Sequence, residues 1–130
     1  MNENQALDST NSIEEIKLRK DELAEIDKSI LDQKSKIEFA EAIKRLKSNP
    51  DYQLVIENGY FKEEGDRLTK NLLEPTYLKR DQIENIVEMT SAIRHTKTFL
   101  MFKEDDGANA EKNIEDLEEY RLTVNSNDGE

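Results

Sequence analysis

The chain has 130 residues, 38% of them charged and 35% hydrophobic, with a net charge of −11 and no cysteine. That length holds one domain, the apolar share is thin for a compact globule, and the missing cysteines exclude a disulfide framework and a thiolate metal site. Four glycines and two prolines are too few for a flexible low-complexity chain, so the composition predicts helices with narrow apolar seams.

The charge is unevenly spread. Residues 1–48 hold 11 acids and 9 bases, residues 79–103 hold 3 acids and 5 bases, and residues 104–130 hold 10 acids and 2 bases. Most of the acidity is therefore C-terminal. A block of this sign repels nucleic acid and argues against a nucleic-acid-binding surface there. Basic residues at Lys44, Arg45 and Lys47, and at Lys79 and Arg80, are mixed with acids and lack interleaved aromatics. They suit helix ends and surface ion pairs.

In chain order, residues 1–11 show no period and are expected to be disordered. Ser12 stands three residues before Glu15, the spacing of a capping box at a helix start. From there Ile16, Leu23, Ile30 and Ile37 recur every seven residues, with Ile26 and Ala40 in the flanking column and Arg19 and Gln33 interrupting it. That is a thin coiled-coil seam on a helix spanning 12–48. After Ile37 the spacing changes to Phe39, Ile43 and Leu46, a shift of phase that predicts a new partner or a locally unwound helix. Pro50 disfavours helical geometry at Asn49, so the helix stops there.

The next segment gathers aromatics and chain-turning residues. Asn49 can cap a helix that has Pro50 first and Asp51 behind it. A short helix over 50–58 is expected to end at Gly59 as a left-handed terminator, and a second over 60–73 to carry Phe61, Gly65, Leu68 and Leu72 on one stripe. Gly65 on that stripe costs helix stability and predicts close approach by another backbone. Pro75 is read as the stop. Bulky residues collect here because two short helices need anchors against longer ones.

From Lys79 a second heptad appears. Ile86, Ile93, Leu100, Gly107 and Ile114 make one column, and Met89, Thr96, Lys103, Ala110 and Leu117 the other. The helix is expected over 79–103 and to continue through Gly107 to 122, followed by a disordered acidic tail over 123–130. The architecture is all-α: an elongated antiparallel helical hairpin or coiled coil, 12–122, with a two-helix head between the long helices.

No site of known chemistry emerges. His95 is the only histidine and falls off the apolar columns, so no metal pair exists. In "EDDGANAEKNIE", placing Gly107 sixth in a calcium loop puts Phe102 first, which cannot ligate. No nucleotide-binding, hydrolase or metalloprotease motif is present. The expectation is a non-enzyme without cofactor or metal, and no apolar run is long enough for a membrane span or follows a basic segment as a leader would. What remains is "TFLMFK": Phe99, Leu100, Met101 and Phe102 occupy every side of a helix, and a seam can bury only part of them. Candidate protein-binding residues are Tyr60, Phe61, Phe99, Met101 and Phe102.

"LKSNPDYQLVIENGYFKEEGDRLTKNLLEP", residues 46–75, resembles small acidic helical proteins encoded near the portal and capsid genes of tailed bacteriophages. The "NPD" break, the "GYFKEE" turn and the "RL…LL…P" run carry the resemblance. Residues 83–121 match more loosely, and Gly65 departs from the helix former expected there. The resemblance implies a virion or head-assembly protein, scaffold-like or an adaptor, found in the virion or in the host cytoplasm during assembly. Its partners would be head or portal proteins; independently of the resemblance, the two incomplete heptad seams predict self-association into dimers or higher assemblies. The alternative reading is an acidic regulator or DNA mimic that occupies a nucleic-acid-processing enzyme.

Overall fold

A computed structural model describes residues 3–74 and 78–126, with side chains from Asn11 onward. The fold is all-α. Helix α1 spans Glu3–Lys47, α2 Pro50–Tyr52, a π-type segment Gln53–Glu64, α3 Gly65–Leu73 and α4 Arg80–Ser126.

Helix α1 ends where Ser48 and Asn49 turn the chain. Asn49 leaves the helical region, and its side-chain oxygen accepts from the backbone N–H groups of Asp51 (2.8 Å) and Tyr52 (3.2 Å). Pro50 takes the first helical position, where its missing N–H costs nothing. From Pro50 to Leu73 the backbone then stays right-handed, and no described residue has a positive φ. The break expected at Gly59 is therefore absent. Instead the chain continues as a wider, π-type helix over Gln53–Glu64. Continuing the helix lets Tyr60 and Phe61 stay packed with Leu72 against Leu68, Ile86 and Ile93. A left-handed exit at Gly59 would have turned them away. Pro75, read as the stop, lies outside the described residues.

Two compact units divide the chain, one formed by residues 1–37 with 108–130, the other by residues 38–107. In the first, α1 and α4 run antiparallel: Asn113 donates to Gln33 at 3.1 Å, Arg121 pairs with Asp27 at 3.0 Å, and the Tyr120 hydroxyl donates to Glu22. Ile26, Ile30 and Val124 are its buried cluster, with Leu23, Ile114 and Leu117 packed around them. The heptad columns on both helices supply these residues.

Two expectations at the ends of this unit differ from the structure. The helix begins at Glu3 rather than at Ser12, so Ser12 lies within α1 and is not a cap. At the other end α4 runs on to Ser126, with Val124 buried. Val124 continues the spacing of Ala110 and Leu117, so helix formation here lets one more apolar residue leave water. The remainder of the expected tail, 127–130, lies outside the described residues. Ile16, first of the expected column, is 51% exposed.

In the second unit, Leu68, Ile86 and Ile93 form the cluster that the π-type segment and α3 bring onto α4. Ala40, Ile43 and Tyr52 are also buried. Gly107 is buried inside α4, which continues through it. Gly65 corrects another expectation: a Cβ built there meets nothing within 4 Å, so no backbone approaches it.

Candidate functional site

Within the unit of residues 38–107, the last turns of α1 lie beside the middle of α4. Ala40 and Ile43 point into the interior, whereas Phe39 and Leu46 are 46% and 45% exposed. The change of spacing after Ile37 has this consequence: a second stripe leaves the intramolecular seam by its side. Phe39, Ala42, Ile43 and Leu46 of α1, with Phe99 and Leu100 of α4, line an open groove of about 400 Å3. Every lining side chain is apolar.

Phe39 and Phe99 meet at its mouth with ring centroids 6.1 Å apart. The Lys103 ammonium lies 5.7 Å from the Phe39 centroid and 5.8 Å from that of Phe99, close enough for attraction by both ring faces. About half of each ring nevertheless remains exposed.

The five sequence-derived candidates fall into separate places. Phe99 lines the groove. Phe102, 57% exposed, stands three residues on and so neighbours Phe99 on the helix surface. Met101, 52% exposed, is two residues from Phe99 and faces elsewhere. Tyr60 and Phe61 belong to the packed cluster of Leu68, Ile86 and Ile93, outside the groove, their rings 5.8 Å apart, with the Lys97 ammonium 5.4 Å from the Phe61 centroid. Phe39 and Leu46 were not among the candidates, although their spacing had already set them apart from the seam.

A second depression of about 300 Å3 lies between α3 and α4, lined by Phe61, Gly65, Asp66, Thr69, Thr90, Ile93, Arg94 and Lys97. The absent Gly65 side chain helps to open it. Thr69 and Thr90 turn their hydroxyls onto the carbonyls of Gly65 and Ile86 at 2.9 and 2.8 Å, so neither is poised toward a ligand.

The titratable groups add little chemistry. Burial is the first cause that raises the Tyr52 phenol above its ordinary value, followed by the charge of Glu57; its hydroxyl has no hydrogen-bond partner. Glu104 near it pairs with Lys47. Tyr120 is raised by its hydrogen bond to Glu22, and Glu64 is lowered by the one from Arg67 at 2.9 Å. His95 is exposed on α4. Among the described residues no three acids or histidines converge as metal ligands would, and no helix is long and apolar enough to cross a membrane.

Comparison of the chain with protein-family models, with curated proteins and with solved structures finds no match.

Proposed function

We propose that this protein is a non-enzymatic structural or assembly component that works through helical protein–protein contacts. The groove of Phe39, Ala42, Ile43, Leu46, Phe99 and Leu100 carries the reading. In a chain that is 38% charged, a continuous apolar surface costs solubility, and such surfaces mark interaction sites. The setting we propose, the head of a tailed bacteriophage and its assembly, rests on the resemblance of residues 46–75. There the protein would act as an adaptor or scaffold-like element, in the virion or in the host cytoplasm during assembly.

Incorporation into purified particles tests this. A groove variant, Phe99→Asp, is expected to be excluded. A second variant neutralises Asp105, Asp106, Glu111, Glu115, Asp116, Glu118 and Glu119, and is expected to enter normally at low and moderate salt, because apolar burial is little changed by moderate salt. An acidic regulator or DNA mimic would behave in the opposite way. It would lose partner binding on neutralisation, and its wild-type binding would fall steeply with salt, since exposed charges are screened beyond about 8 Å at physiological ionic strength. Loss of incorporation in the neutralised variant, with its helicity intact, would transfer the function to the acidic surface.

A further inference from the structure

We infer that the occupant of the groove is a second copy of this chain, seated groove to groove about a two-fold axis; the inference rests on the interaction reading above. Three observations support the second copy over a foreign partner.

The first is architectural. The groove is lined by α1 and α4 alone, and among the described residues no third helix contributes to it. The π-type segment and α3 pack on α4 at Ile86 and Ile93, so at the groove α1 and α4 still present an uncovered two-helix face, and helical domains bury such a face against another layer. A second copy supplies an identical pair and completes a four-helix arrangement.

The second is area. Phe39, Phe99 and Phe102 are 46%, 50% and 57% exposed, and Leu46 is 45% exposed. A fully buried aromatic covers about 150–250 Å2, so these four residues leave on the order of 400 Å2 of apolar surface on each copy. Two copies together would remove roughly 800 Å2. At the ~65% apolar share of homodimer interfaces this corresponds to about 1,200 Å2 in total, which reaches the size of a stable interface.

The third is charge. The chain carries −11, yet residues 38–47 hold two acids and three bases, and residues 95–106 hold three acids and two bases. The helical segments that frame the groove are therefore neutral together. Glu38 and Arg45 adjoin the lining residues Phe39 and Leu46 in sequence, Asp106 is one heptad on from Phe99, and Lys103 lies over both rings, so both signs are available to a self-complementary rim. Two copies that would repel through their acidic segments can meet here without that penalty.

Sedimentation equilibrium of the full chain at micromolar concentrations is expected to show a monomer–dimer equilibrium. Phe99→Asp should weaken it by on the order of 100-fold, with helicity unchanged. Leu46→Asp on the other helix is an independent second variant and should act alike. Leu18→Asp, at a residue 66% exposed and outside the groove, should leave the dimer intact. A wild-type chain that stays monomeric overturns the second-copy assignment, as does a dimer that survives both groove variants. If a monomeric wild type still requires Phe99 for particle incorporation, the interaction reading stands and another protein fills the groove. If it does not, both fall.

Discussion

Phe39 and Phe99 meet edge to face, with ring centroids 6.1 Å apart and planes 86° from parallel. The positive edge of one ring faces the negative face of the other, an arrangement worth about 0.5–1.5 kcal/mol beyond area burial. The pair therefore couples α1 to α4 within its unit while leaving half of each ring in water. A double-mutant cycle of Phe39→Ala and Phe99→Ala, in urea melts at concentrations where the chain is monomeric, should return a coupling of that size. Strictly additive losses would mean that the rings do not interact in solution.

Gly65 sits in ordinary right-handed helical geometry, φ −59° and ψ −45°, and a Cβ there meets nothing within 4 Å. Glycine at such a position only widens the unfolded ensemble. Gly65→Ala should raise stability by about 1 kcal/mol, read as a higher urea midpoint with an unchanged slope. A lower midpoint would mean that a neighbouring group fills the depression beside Phe61 and Thr69 in solution.

The heptad columns were readable because they are local. Ile26 and Ile30 on α1, and Ile86 and Ile93 on α4, are all buried, and a seven-residue recurrence announces a shared face without knowledge of the partner. The two interior glycines were not readable. Whether Gly59 ends a helix or lies within one depends on whether Tyr60 and Phe61 gain more by packing on Ile86 and Ile93, which are distant in sequence. Whether Gly65 permits close approach or merely leaves space depends equally on what faces it. The groove falls between these cases. The shift of spacing at Phe39, Ile43 and Leu46 and the run from Phe99 to Phe102 were each visible, but their juxtaposition is set by how α1 and α4 align.

Tyr52 is 9% exposed and its hydroxyl has no hydrogen-bond partner. A buried unpaired hydroxyl opposes folding, so Tyr52→Phe should be neutral or stabilising by about 1 kcal/mol at neutral pH. The alkaline limb follows from the raised phenol. Its folded value lies above the ordinary 10.0, so past that pH the unfolded chain loses the proton while the folded chain retains it. Stability therefore falls as pH rises from about 10 until the folded Tyr52 ionises. Tyr120, raised by Glu22, acts in the same direction. Urea melts from neutral to alkaline pH should show a shallower fall in Tyr52→Phe than in wild type, with a remaining slope that Tyr120→Phe reduces. An identical fall in Tyr52→Phe would place that phenol in contact with water.

Leu68 is the most deeply buried large side chain described, at 1% exposed, in contact with Ile86 and Ile93 from the facing helix. It is the buried centre of the contact between α3 and α4, with Tyr60, Phe61 and Leu72 only partly buried around it. Leu68→Ala should cost about 2–5 kcal/mol, the sum of the lost transfer energy and the cavity left behind. Phe61→Ala should cost less than a fully buried phenylalanine does, because Phe61 is only partly buried and borders an open depression. Leu18→Ala removes a side chain that is 66% exposed and should stay within about 0.5 kcal/mol of wild type. Urea melts of the three variants give the ranking directly. A Leu18 cost comparable to that of Leu68 would mean that a partner covers the N-terminal part of α1 in solution. A Leu68 cost below 1 kcal/mol would mean that α3 is not docked on α4.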